Sequence, residues 1–375
     1  MIVDATSFDL VSAIDKILGE EQPPAGRIQP ELLESVLEIA TEPCATVAEV
    51  REELVALRGL ARERAARHDL AIGAAGTHPF ARWEDQRVVR DDRYRGLVRS
   101  LGFVARQELV FGMHVHVGLA DPEEAIAVAN GLRSYVPLLI ALSANSPLWR
   151  GEPTGLMSSR VPIFRAFPRV GLPPRFAGWS DFQRRVEALQ TSGMIDDYTF
   201  LWYDVRPHPR LGTVEVRAMD SQTRIEHTVA LGALIVSLVR LLVERHAAGH
   251  GAEGAEAPDP PWELLDENRW LAARYGLEAE LYDFADGRVR LAREMIERLL
   301  ARLAPHAEAL DCSAELAGVG DLLENGNGAT RQRMVFEANR DLHELMAEIV
   351  ASAAVEPGAP PPTPGDAPTP GGDAA

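Results

Sequence analysis

Two short segments restrict this chain more than anything else in its 375 residues. Gly112-Met113-His114-Val115-His116-Val117-Gly118 and Thr213-Val214-Glu215-Val216-Arg217 both alternate between polar and apolar residues. Successive side chains of a strand point to opposite faces. Each segment, read as a strand, therefore puts its valines on one side and His114 with His116, or Glu215 with Arg217, on the other. An antiparallel sheet that buries its valine face and leaves the other face open suits both. The histidine pair reads either as hydrogen-bonded core residues or as functional groups, and Glu215 with Arg217 reads either as a solvated outer face or as part of a site. Two glycines bracket the histidines and allow a ligand or another backbone to come close.

The surrounding pattern is mixed. Thr46 and Glu49 form a capping box ahead of Val50, Leu54, Leu57 and Leu60, which predicts a long helix beginning at that box and running to about Arg67. Asp121-Pro122-Glu123-Glu124 starts another, with its apolar run reaching Leu142. Apolar spacing predicts further helices over Phe8 to Leu18, Ile225 to His246, Val289 to Leu303 and Arg331 to Val350, and strands over Leu70 to Ala75 and Phe200 to Val205. Strands and helices do not alternate regularly and no GxGxxG follows the first strand. The expected class is therefore α+β, a mainly antiparallel sheet covered by helices. One domain is expected over residues 1–352, with a flexible Gly/Ala/Pro/acidic insertion at about 247–261. A disordered tail is expected over 353–375, where Glu356 to Ala375 carries seven prolines.

Composition removes several function classes. A net charge of -18 argues against nucleic acid and anionic membranes as partners, because phosphate binding needs clustered cations. Small polar ligands fit better. The first residues do not read as a secretory signal, so the expected location is the cytoplasm. Cys44 and Cys312 give no CxxC pair. Lys16 is the only lysine and sits in an amphipathic segment, which leaves no Walker A loop and no Schiff-base lysine. Phosphate handling would fall to arginines, metal ions and backbone N–H groups.

Further candidates are scattered along the chain. Glu38 interrupts an apolar stretch that begins at Glu31, and its partner is either a magnesium ion or an arginine. Arg206 and Arg210 lie shortly before the Glu215 segment. Asn325 to Arg333 opens a helix whose free N–H groups, with Arg331 and Arg333, either hold an anion or are simply capped.

Together, Pro30-Glu31-Leu32-Leu33, Glu38-Ile39-Ala40-Thr41, Ala75-Gly76-Thr77-His78-Pro79-Phe80, Gly112 to Gly118, Leu142 to Pro147, Asp204-Val205-Arg206-Pro207, Thr213 to Arg217, Glu267-Asn268-Arg269-Trp270 and Gly326 to Arg333 carry a family resemblance. The chain, to about Val350, resembles the type 2 glutamate-cysteine ligases and YbdK-like carboxylate-amine ligases. The resemblance implies a glutamine-synthetase-like sheet on which ATP, with Mg2+ or Mn2+, phosphorylates a small carboxylate before an amino-acid amine displaces phosphate. It also implies Glu38, Glu215, Glu31 and His114 as metal ligands. Arg217, Glu215 and His114 become catalytic, and Thr77, His116, Asn145, Arg160 and Arg206 line the substrate pocket. Apolar helix faces leave room for a homodimer.

Relatives begin with a Gly-Val-Glu-Glu-Glu-type strand, whereas this chain opens at Met1-Ile2-Val3-Asp4, resembling the residues just after it. The expectation is that the acidic strand is missing or lies upstream. One alternative is therefore a catalytically impaired homologue that binds a nucleotide or carboxylate. A further alternative is a metallohydrolase using His114 and His116.

Overall fold

The alternating segments pair as their patterns require. In the computed structural model, which describes residues 1–18, 22–23, 25–249 and 260–354, a histidine strand (Gly112–Gly118) runs antiparallel to a central strand (Thr213–Asp220). His116 stands opposite Glu215 and Val115 opposite Val216. An outer strand (Val205–His208) pairs on the other side, with Arg206 opposite Glu215 and His208 opposite Thr213. The register places Arg206, Glu215 and His116 in one row across three strands, and the valines on the opposite face.

That apolar face is buried in the main core. Met113, Val205, Val214, Val216 and Met219 join Val128, Leu132, Leu139 and Leu142, together with Leu231, Leu234 and Leu238. The helix Pro122–Leu132 begins as expected, with the Asp121 carboxylate accepting the Glu123 N–H at 2.9 Å and proline in the first turn. A short 3-10 turn, Arg133–Tyr135, leads into Val136–Ser143, where every residue is buried. Each such Leu, Ile or Val contributes roughly 1.5–3 kcal/mol by leaving water, so this layer holds the sheet firmly from behind. Pro122–Ser143 and Ile225–Ala247 are long and apolar enough to span a bilayer. However, 83% and 61% of their most apolar stretches are buried within the protein, as befits core helices.

A hairpin, Arg27–Pro30 with Leu37–Ala40, sets Gln29 opposite Glu38. Its connection carries Glu31, and the helix Asp92–Leu101 packs beside it, where Tyr94 donates to the Pro30 carbonyl at 3.3 Å.

The capping box at Thr46 and Glu49 opens its helix as expected, Val47–Ala66 with Arg67 as C-cap. Several other elements differ from their sequence expectation. Phe8 to Leu18 is helical only over Ile14–Leu18. Leu10 instead bridges Val3, and Val11 N–H bonds the Ile2 carbonyl, so strand pairing overrides the helical spacing. Val289 belongs to a hairpin, Glu280–Asp283 with Arg288–Leu291, closed by Asp286-Gly287 with Gly287 at φ 68°, and the helix begins at Ala292. Arg331 to Val350 splits into Gly328–Asn339 and Leu342–Ala354. Arg340 is left-handed between them, and Asp341 caps the second helix by accepting from His343 and Glu344 N–H. The predicted strand over Phe200 to Val205 is broken into a 3-10 turn, Tyr198–Phe200, and two short strands. Residues 250–259 of the expected insertion and 355–375 of the expected tail lie outside the described residues; 353 and 354 close the last helix.

Candidate active site

The polar face of the sheet is organised around Glu215. Its Oε2 accepts from Arg206 Nε at 2.5 Å, and its Oε1 accepts from Arg217. His116 Nε2 and His114 Nδ1 lie 3.6 and 3.8 Å from the same Oε1. Arg206 is held in turn by the Thr199 and Leu201 carbonyls at 2.7 and 2.8 Å. Burial disfavours the Glu215 charge, but the Arg217 and Arg206 guanidiniums outweigh it and hold this carboxyl well below its ordinary range. The His114 and His116 side chains are 36% and 34% exposed on this polar face, beside a cleft that Glu31 and Arg217 line. Burial, reinforced by the neighbouring guanidiniums, lowers the pKa of both, so the imidazoles stay neutral at pH 7. His116 also contacts Thr213 Oγ1 at 3.0 Å, and His208 bonds Tyr198 at 3.2 Å beside it.

A β-bulge aims Arg217. Register shifts between Val216 and Met219, so Arg217 and Ala218 together oppose the single His114. The bulge frees two carbonyls. Arg160, buried at the start of the helix Arg160–Phe164, donates to both, at 3.2 Å to Arg217 O and 3.4 Å to Ala218 O. Gly112 makes this possible, because a Cβ there would stand 2.5 Å from Arg160 Nη2. Behind the bulge, buried Asp220 accepts from Ser146 Oγ at 2.6 Å and from Asn145 N and Ser158 Oγ at 2.8 Å.

The hairpin brings carboxylates to the same cleft. Burial first, then the nearby Glu38 charge, raises the pKa of Glu31, while Arg217 and Arg93 oppose the rise. Glu108, just before the histidine strand, has a buried Oε2 with no hydrogen-bond partner. Burial pushes its carboxyl up to about 8 against the pull of Arg160, with Glu31 adding repulsion. Glu31 is thus a carboxylate with too little positive charge around it, which a hard divalent cation would relieve. Among the described residues, no three His, Cys, Asp or Glu stand together closely enough to hold a metal alone. The donor set fits an ion that completes its shell from phosphate oxygens, as magnesium does.

Of the residues singled out from sequence, Glu31, Glu38, His114, His116, Arg206, Glu215 and Arg217 converge here, with one difference. Both oxygens of Glu215 are taken by guanidinium groups, so it stands as a counter-ion where an open metal ligand was expected. Three expectations are corrected outright. Thr77 is buried and donates to the Leu148 carbonyl at 2.8 Å, so it does not line the pocket. Asn145 is buried with its amide spent on Ser221, Thr223 and Gln332. Arg160 supports the bulge from beneath. The Gly328–Asn339 helix start takes the capped alternative, with Asn327 accepting from Thr330 N–H and Arg331 and Arg333 paired with Glu348 and Glu337. Sequence reading missed Glu108, Arg93 and Tyr94. Nothing in Arg106-Gln107-Glu108 or Arg93-Tyr94 distinguishes them from an ordinary solvated turn and helix.

Residues 1–352 match the family model described as glutamate-cysteine ligase family 2, GCS2. The chain belongs to this family. Among relatives of the family, a protein of Rubrobacter xylanophilus provisionally named glutamate–cysteine ligase 2-1 is 43% identical over 93% of this chain and 91% of its own length. One from Sorangium cellulosum, provisionally named glutamate–cysteine ligase 2, is 39% identical over 94% of each. The family fold extends to solved structures of low identity. Glutamate–cysteine ligase from Francisella tularensis, in complex with AMP, has a TM-score of 0.67 at 13% identity, covering 94% of this chain and 86% of that one. A bifunctional glutathione synthetase from Pasteurella multocida has a TM-score of 0.61 at 15%, covering 94% of this chain and 51% of that one. Membership supports a ligase enzyme acting on small amino-acid or carboxylate substrates.

Proposed function

We propose that this family member is an ATP- and magnesium-dependent carboxylate–amine ligase, glutamate–cysteine ligase-like, working on a glutamine-synthetase-like sheet in the cytoplasm. The observation that carries the reading is the cleft itself. Under-neutralised Glu31, with Glu38 and Arg217 near it, adjoins the Glu215 cluster of Arg206, Arg217 and neutral imidazoles, a charge pattern suited to a magnesium-bound triphosphate beside an acidic substrate. Glu31 and Glu38 would hold the ion. Glu215 and His114 would be further donors if Arg217 paired with phosphate in place of Glu215. Bound there, magnesium would neutralise charge on the phosphate oxygens.

The chain's own groups do the rest. Arg217 and Arg206 stabilise charge as a substrate carboxylate oxygen bonds the γ-phosphorus and ADP departs. The amine nitrogen then bonds the acyl carbon, the carbon–oxygen bond to phosphate breaks, and the nitrogen loses a proton. His116, neutral and beside the cleft, is placed to accept that proton. Amine-dependent phosphate release from ATP tests the reading, with Glu215→Gln expected to abolish it while the fold persists. Retained magnesium-ATP binding without amine-dependent turnover in the unmodified chain would favour the impaired, ligand-binding homologue instead.

A further inference from the structure

Beside the charged cleft lies a cavity of about 130 Å³ with a different lining. One wall is a continuous run of rings: Phe164, Phe167, Trp202 and Phe200 follow one another with centroids 5.4 to 5.6 Å apart. The facing wall is Leu32 with Tyr94 and Leu97, which lie one turn apart on the helix Asp92–Leu101. The cavity has three charged members. Glu31 and Arg217 also belong to the proposed reaction centre, so the two spaces adjoin. Arg93 is exposed and close enough to Glu31 and Asp197 to pull both carboxyl pKa values down, but its guanidinium forms no direct ion pair or hydrogen bond among the described residues.

Size limits what this space accepts. An apolar cavity of roughly 150 Å³ takes up benzene, so this one suits a six-membered ring or a branched side chain of similar bulk. A thiol on one methylene would leave most of the ring wall without contact, and unfilled space forfeits dispersion. Adenine is the other planar candidate. Its ring nitrogens and amino group would lie largely against Phe164, Phe167 and Phe200, which offer no hydrogen-bond partner, with only the Thr199 and Tyr94 hydroxyls and the Trp202 indole N–H able to meet them, and the neutral base would give Arg93 no counter-charge.

We infer that the aromatic cavity receives the side chain of the amine substrate and selects an α-amino acid with a ring-sized apolar side chain, whose carboxylate pairs with Arg93. This rests on the ligase reading for the identity of the reacting amine, but its binding test does not need turnover.

Calorimetric titration of the full chain with L-phenylalanine and L-cysteine, with and without a magnesium-bound non-hydrolysable ATP analogue, examines it. L-phenylalanine should bind at least tenfold more tightly than L-cysteine, and Arg93→Met should weaken it at least fivefold. Arg93 is exposed, so this variant should fold, and circular dichroism verifies that. Cysteine binding as tightly as phenylalanine, no phenylalanine binding under either condition, or an unchanged affinity in Arg93→Met overturns the inference. Phenylalanine binding abolished by the nucleotide analogue also overturns it and gives the cavity to adenine. Phosphate release measured with glutamate and each amine separates the two claims. Phenylalanine binding with no turnover for any amine supports the cavity assignment and sinks the ligase reading, whereas turnover that prefers cysteine overturns the cavity assignment and leaves the ligase standing.

Discussion

Replacing Glu215 by glutamine should cost this protein several kcal/mol, because it strands two guanidinium groups. The Glu215, Arg206 and Arg217 side chains are 2%, 8% and 11% exposed, so solvent screens the cluster little. Breaking a buried ion pair from one side costs roughly 3–5 kcal/mol. Glutamine keeps one oxygen that can still accept, which puts the expected loss at the low end, about 3 kcal/mol. Urea unfolding followed by circular dichroism would show this as a midpoint lower by roughly 1 M for a slope of about 3 kcal/mol/M. Arg206→Met and the double variant complete a cycle. The two single costs should exceed the double by at least about 1 kcal/mol, since removing Arg206 leaves less uncompensated charge for the second change to expose. The pH dependence has a definite sign. Glu215 has a depressed pKa in the fold, so its contribution is fully present above the ordinary glutamate value of 4.5 and fades as pH falls towards its folded value. The gap between wild type and Glu215→Gln should therefore narrow below about pH 4.5. A Glu215→Gln cost under about 1 kcal/mol at pH 7, or additivity within about 0.5 kcal/mol, would refute the cluster's role.

Other outcomes follow from single contacts. Gly112→Ala should push Arg160 off the bulge carbonyls, loosening Arg217, so turnover should fall at least about tenfold with a modest loss of stability; unchanged kcat would contradict the bulge's part in aiming that arginine. Gly76→Ala would place a methyl 2.6 Å from the Asp220 carboxyl, and overpacking of about 1–3 kcal/mol should appear as a lower urea midpoint. His78 is buried with Nδ1 accepting from Ala81 and Phe80 N–H and Nε2 facing the Phe8 carbonyl, and burial lowers its pKa from 6.5 to about 4. It is neutral in the fold and charged when unfolded below 6.5. It should therefore contribute stability that is lost as pH drops from 6.5 towards 4, by about 3 kcal/mol at full effect, and the loss should be missing in His78→Asn.

The three-stranded sheet was legible because its signal is local and periodic. Alternation in Gly112 to Gly118 and Thr213 to Arg217 fixes which residues share a face, and the structure keeps that assignment through the pairing of His116 with Glu215. Caps at Thr46 and Asp121 were equally local. What escaped depends on tertiary context. Leu10 and Val11 carry helical spacing but are captured by a neighbouring strand. Val289 carries helical spacing, but the Asp286-Gly287 turn before it, with Gly287 at φ 68°, places it in a hairpin strand. Arg160 reads as a pocket residue beside its motif, and only the bulge on a strand 57 residues away in sequence shows that it works from beneath. The aromatic cavity joins residues near positions 32, 94, 164 and 200, none of which forms a pattern on its own.

The central claim is that Glu38 and Arg217, from distant parts of the chain, act on one magnesium-bound triphosphate. Equilibrium binding of ATP to the full chain, measured with and without magnesium, addresses it most directly. Wild type should bind ATP at least tenfold more tightly with the ion present; Glu38→Gln should lose that magnesium dependence, and Arg217→Met should bind weakly under both conditions. Equal affinities across the three proteins, or binding indifferent to magnesium in wild type, would contradict it.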